Sequence, residues 1–161
     1  MTRRLWFTEI ESPVGPLRLA ADDAGLRRID FLTDFGASPP PSDWIRAEAP
    51  LGAVIAQLDE YFAGRRRDFE GPLAPEGTTF QQHVWRRLCE IPYGATISYG
   101  ELAARVGNPR ASRAVGLANG RNPIPIVIPC HRVIGKNGTL VGYGGGLAIK
   151  RTLLAIEGRQ A

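Results

Sequence analysis

The run Asn122-Pro123-Ile124-Pro125-Ile126-Val127-Ile128-Pro129-Cys130-His131-Arg132-Val133 decides how this chain is read. Its middle is continuously apolar and rich in β-branched residues, which predicts a buried strand ending at Cys130 and His131. Pro123, Pro125 and Pro129 remove backbone donors and fix φ, so the predicted strand is a stiff connector with a set exit angle. A thiol is thereby delivered to the edge of a core.

Two readings of the Cys130-His131 pair fit these residues. An imidazole within reach can take the thiol proton and leave a nucleophilic thiolate. Equally, a buried cysteine can serve as a small hydrophobe beside a satisfied histidine. In extended backbone successive side chains point to opposite faces, so the first reading requires the chain to turn here.

Working outward, 161 residues allow one or two small domains with a real core. The net charge of +4 is unevenly placed: residues 1–78 hold 9 basic and 13 acidic side chains, residues 79–161 hold 11 and 3. A second half of charge +8 is what a polyanion partner requires, although solvated surface charge gives the same count. Two cysteines do not make a disulfide scaffold, and no stretch reaches the roughly 20 apolar residues of a membrane helix. The amino terminus turns acidic at Glu9 before any signal-peptide core develops, so a cytoplasmic, reducing compartment is expected. Cys89, Cys130, His83 and His131 lack zinc-site spacing, and neither a metal nor a cofactor is expected.

Alternating apolar residues predict strands over 5–10, 17–21 and 26–32, joined by Pro13-Val14-Gly15-Pro16 and Asp22-Asp23-Ala24-Gly25 turns, a three-stranded antiparallel meander. Residues 36–50 read as loop, and Leu51, Val54, Ile55, Leu58 and Phe62 as a helix stopped by Gly64. The predicted organisation is a domain over 1–71, a linker over 72–78 and a second domain over 79–161.

In the second domain, Thr78 with Gln81 and Ser98 with Glu101 are capping boxes. They predict helices over about 79–91, with Phe80, Val84, Leu88 and Ile91 inward, and from Tyr99 to Val106. Asn108 as cap with Pro109 at the first position predicts a further helix to about Gly120, completing a helix-turn-helix candidate. Cys89 and His83 read as core or boundary residues. Gly142 to Leu147 breaks the GxGxxG pattern, which rejects a dinucleotide site. The last helix runs from Leu147 to Glu157, burying Leu153, Leu154 and Ile156.

Pro129 to Val133, Asn122-Pro123, Arg113-Ala114-Val115-Gly116, Ile91-Pro92-Tyr93-Gly94, Ser98 to Ala103, and Gly145 to Lys150 ahead of Glu157-Gly158 occur in a characteristic order. In these blocks, from about Phe80 to Gly158, the chain resembles the bacterial-type O6-alkylguanine-DNA alkyltransferase family, also called methylated-DNA–protein-cysteine methyltransferases. The resemblance implies a two-lobe α/β fold: a small ribonuclease-H-like sheet domain, then a mainly helical DNA-binding and active-site domain. It implies single-turnover transfer of an alkyl group from O6-alkylguanine in double-stranded DNA to Cys130. His131, Glu157, Tyr99 and Asn122 are the implied catalytic companions. Ser98, Tyr99, Arg113, Ala114 and Gly116 would meet DNA through the minor groove, with the lesion flipped out and Arg113 in its place. Val133, Tyr143, Gly144 and Lys150 would line the pocket. A monomer is implied, and clustering along DNA, alkyl size and O4-alkylthymine are left open. Two other readings stand beside this one: a non-catalytic damage sensor, which Cys130 argues against, and a Cys-His hydrolase, for which no oxyanion site is evident.

Overall fold

The computed structural model describes residues 4–33, 38–140, 143 and 145–158. Two compact units divide between Pro75 and Glu76. In the first, Trp6–Ile10 (β1), Leu17–Asp22 (β2) and Gly25–Phe31 (β3) form the expected antiparallel meander, with Trp6 opposite Ala21 and Leu17 opposite Phe31. Side-chain oxygens shape both turns. The Ser12 hydroxyl accepts from Val14 N and donates to Gly15 O, while Asp22 Oδ1 accepts from Ala24 N.

The sheet has one strand more than expected, because Ile45–Arg46 (β4) lies parallel to β1 within the stretch read as loop. Ile45 N donates to Leu5 O at 2.8 Å and Ala47 N to Phe7 O at 3.0 Å. Trp44 packs at 6.2 Å from the Phe7 ring, and the Arg46 guanidinium lies 4.8 Å over that ring's centroid. Packing on Phe7 therefore recruits a polar, proline-rich segment whose composition carries no strand signal. Gly52–Phe62 (α1) buries Leu58 and Tyr61, of which the tyrosine was not anticipated.

In the second unit, Thr79–Leu88 (α2) and Tyr99–Arg105 (α3) both start at complete capping boxes. The first ends three residues short of expectation, and Cys89 and Phe80 are exposed rather than buried. Trp85 takes the inward position, its indole Nε1 donating to Ala118 O at 2.9 Å on Ser112–Gly120 (α4). Asn108 does not cap α4. Its Oδ1 accepts from Arg110 N at 3.2 Å, and this local turn competes with the cap, so regular helix begins only at Ser112. Gly107, at φ +90°, ends α3 in the left-handed region that suits glycine.

The proline-rich run is not a strand. Residues 123–129 fold into successive turns, with Ile128 N donating to Ile124 O and Ile126 held at φ +76°. A β-branched residue there costs on the order of 1–3 kcal/mol, and burial of Ile124, Ile126 and Ile128 offsets it. Cys130–Arg132 form one 3-10 turn. The true strand is the next pair, Val133–Ile134 (β6), parallel to Ile97–Ser98 (β5). Leu147–Ile156 (α5) buries Ile149, Lys150, Leu153 and Leu154, with Ile156 only half-buried. No helix among the described residues is long and apolar enough to cross a membrane.

Candidate active site

The turn that the Cys130-His131 pair requires is present, and it places both side chains inside the second unit. Cys130 is 5% exposed and His131 is fully buried. Asn122 ties the preceding turns together: its Nδ2 donates to Ile128 O at 2.8 Å, and its Oδ1 accepts from Ile124 N at 2.9 Å. Burial pushes the Cys130 thiol above its ordinary range. The Asn122 and Tyr143 side chains and the Lys150 cation pull the other way, each favouring a thiolate.

His131 does not bond the thiol directly. Its Nε2 lies 2.7 Å from Glu157 Oε2, and its Nδ1 is buried without a protein partner. A carboxylate acceptor at Nε2 favours the tautomer with its proton there, which leaves Nδ1 as the basic nitrogen of the neutral ring. Burial lowers the His131 pKa from its ordinary value; Glu157 opposes that shift, while Arg132 and Lys150 reinforce it. The resting site therefore pairs a neutral thiol with a neutral base.

Lys150 is completely buried, donates from Nζ to Val133 O at 2.7 Å and lies 6.0 Å from the Tyr143 ring centroid. Burial lowers its pKa, and Cys130 raises it. Tyr99, half-buried at the start of α3, has its phenol pKa raised by burial first and by Cys130 second. A Cβ built on Gly116 of α4 would lie 3.6 Å from the Tyr99 ring, an ordinary van der Waals contact, so α4 packs closely on the Tyr99 ring here. Ser98 is engaged as the α3 cap, accepting from Glu101 N at 3.1 Å. Arg113, Ala114, Leu117 and Gly120 share the exposed face of α4. Thus Cys130, His131, Glu157, Asn122, Tyr99, Val133, Tyr143 and Lys150 come together, whereas Arg113 and Ala114 lie on an outer surface. Gly144 falls outside the described residues.

A family model described as "6-O-methylguanine DNA methyltransferase, DNA binding domain" matches residues 79–159, and the ribonuclease-like domain of the same protein matches 5–75. The methylated-DNA–protein-cysteine methyltransferase of Methanosarcina acetivorans is 51% identical over 96% of this chain and 99% of its own length. The chain belongs to the 6-O-methylguanine DNA methyltransferase family. The Mycobacterium leprae methyltransferase is 50% identical over 94% of this chain and 91% of its own. Among solved structures, Mycobacterium tuberculosis O6-methylguanine methyltransferase superposes with a TM-score of 0.89 at 46% identity, covering 98% of this chain and 94% of that one. Mycobacterium tuberculosis OGT in complex with DNA gives 0.87 at 47% identity, covering 94% and 92%.

The residue-level reading missed three members of this methyltransferase site. Arg132 is 6% exposed and bonds Glu157 through Nε at 2.8 Å and Nη2 at 3.0 Å. Asn119, at the end of α4, is 4% exposed and donates from Nδ2 to Cys130 O at 3.4 Å. Gly94 N donates to Glu157 Oε1 at 3.3 Å. Each partner is distant in sequence except that of Asn119, and nothing in local pattern points to them.

Proposed function

We propose that this protein repairs duplex DNA by transferring an alkyl group from O6-alkylguanine to its own Cys130, once per molecule. The observation that carries this reading is a buried thiol set among Asn122, Tyr143 and Lys150 beside a His131–Glu157 pair, in a chain that belongs to the family. DNA is the partner, bound by the basic second unit through the minor groove, with α4 as the inserted element. Small side chains at Ala114, Gly116 and Gly120 let its backbone approach closely. Minor-groove contacts distinguish sequences poorly, which suits a protein that inspects any site.

An O6-alkylguanine inside the stack cannot reach a buried sulfur, so the base is flipped, at a cost of a few kcal/mol. Arg113, exposed on α4, fills the space left. With the alkyl carbon seated, the Cys130 proton passes to His131 Nδ1 through an intervening water. Sulfur forms the S–C bond, the C–O6 bond breaks, and the departing guanine takes a proton at N3 with help from Tyr99. Backbone groups of Cys130 and Val133 read the guanine edge, and Tyr143 and Lys150 close the pocket. The protein acts as a monomer.

Flipping and chemistry separate in one comparison. Arg113→Ala should slow repair of a duplex lesion on the order of 100-fold, the rate equivalent of a few kcal/mol. Its reaction with free O6-benzylguanine, which needs no flipping, should stay within about twofold of wild type, since an exposed side chain is removed. Equal losses on both substrates, measured as single-turnover rates, would take Arg113 out of the wedge role.

A further inference from the structure

The function above leaves the Ile91-Pro92-Tyr93-Gly94 block and Arg132 without a task, yet they form a bonded polar cluster around Glu157. Both carboxylate oxygens are saturated. Oε1 accepts from Arg132 Nε at 2.8 Å and Gly94 N at 3.3 Å; Oε2 accepts from Arg132 Nη2 at 3.0 Å and His131 Nε2 at 2.7 Å. The remaining arm of the guanidinium, Nη1, donates to Ile91 O at 2.6 Å. Its carbon lies 5.8 Å from the Tyr93 ring centroid, and the Tyr93 hydroxyl donates to Ile156 O at 3.1 Å, one residue before Glu157. Gly94, at φ +82°, brings its N–H to the carboxylate, and a Cβ there would meet Glu157 O at 3.3 Å.

We infer that Arg132 is a positioning residue: its fork pins both oxygens of Glu157, which fixes His131 with its proton on Nε2 and its lone pair on Nδ1. A carboxylate held at four points cannot rotate to accept from the other ring nitrogen, so the base is aimed before substrate arrives. The guanidinium also gives Glu157 a counter-charge, so the imidazole borders a neutral pair rather than a bare anion. Among the described residues, the charged and titratable groups facing His131 are Glu157, Arg132 and Lys150, and Arg132 in turn faces Tyr93 and Cys89. Lysine cannot substitute, because an ammonium lacks the planar fork that spans the two carboxylate oxygens and the Ile91 carbonyl.

This inference rests on the alkyl-transfer reading, and its test separates the two. Wild type, Arg132→Lys and Arg132→Met are compared by nitrogen-15 NMR of the His131 ring, by the pH profile of the single-turnover rate with O6-benzylguanine, and by thermal unfolding. Wild type should show the Nε2–H tautomer, with an acid limb below the ordinary histidine range. Arg132→Lys keeps the charge but not the aim, so its rate should fall roughly 10- to 100-fold with the limb in place. Arg132→Met removes a cation beside the imidazole, so protonation becomes easier and the limb should move up by about one pH unit. Unmoved limbs and an unchanged tautomer in both variants, with only the melting temperature lowered, would reduce Arg132 to a structural role. If Arg132→Met does not fold, the wild-type spectrum and Arg132→Lys decide, and a proton on Nδ1 in wild type overturns the inference outright. Failure of wild type to transfer at all would instead sink the underlying function.

Discussion

Cys130→Ser is expected to bind a lesion-bearing duplex and transfer nothing, while Cys89→Ser transfers at the wild-type rate. The two cysteines differ in exposure and in the groups around the sulfur. Cys130 meets three groups that stabilise sulfur's negative charge, namely Asn122, Tyr143 and Lys150, within a fold that holds a basic imidazole nitrogen nearby. Cys89 is the solvent-exposed C-cap of α2, where Arg132 favours a thiolate and Glu90 opposes it. A serine hydroxyl in the Cys130 position is far less acidic than a thiol, and the same neighbours cannot ionise it near neutral pH. Mass analysis of protein incubated with O6-methylguanine DNA checks this directly, and a methyl group on Cys89 would overturn the assignment.

Glu157→Gln should be the most damaging single substitution outside Cys130, on stability and chemistry together. Both partners of the Arg132–Glu157 pair are buried, with side-chain exposures of 8% and 0%. Removing the carboxylate charge leaves Arg132 an uncompensated cation, at a cost of roughly 3–5 kcal/mol. For a protein of this size that corresponds to a fall in melting temperature of about 10 °C or more. Transfer should also drop, because the amide no longer fixes the His131 tautomer. The double variant Arg132→Met with Glu157→Gln should recover much of the stability without recovering transfer, since no buried charge is left unpaired. Recovery of both, read by calorimetry and single-turnover rate, would show that Glu157 contributes only to folding.

How far the molecule could be read from its sequence depends on the range of the interactions involved. Thr78 with Gln81 and Ser98 with Glu101 act within four residues, so the starts of α2 and α3 were legible to the residue. The meander was equally legible, because alternation and turn chemistry are local. The Ile124 to Ile128 run misled for a physical reason: β-branched residues signal burial as much as extension, and prolines with a strained Ile126 divert the backbone into turns. At Asn108 two local options compete, and the side-chain turn wins over the helix cap. β4 depends on Trp44 finding Phe7, which lies far back in the sequence.

The site divides along the same line. Cys130 and His131 stand out at the end of the proline-rich run, whereas Asn122, Tyr99 and Glu157 are implied by the family resemblance and not by spacing, since Glu157 lies 26 residues beyond His131. Arg132 lies within the proline-rich run, but its partners Ile91 and Glu157 are 41 and 25 residues away. Asn119 is concealed differently: it sits among small residues on a helix, and only the fold shows that it turns inward to the Cys130 carbonyl.

The central claim is that Cys130 accepts one alkyl group and keeps it. A methyl thioether offers water no easy displacement, because thiolate is a poor leaving group, whereas an acyl-enzyme carbonyl can be attacked again. The most direct measurement is a titration of the protein with excess duplex carrying labelled O6-methylguanine, followed by peptide mapping of the label. Transfer should stop at one methyl group per protein molecule, all of it on Cys130. Continued release of methyl groups to solvent, or label settling on another residue, would contradict it.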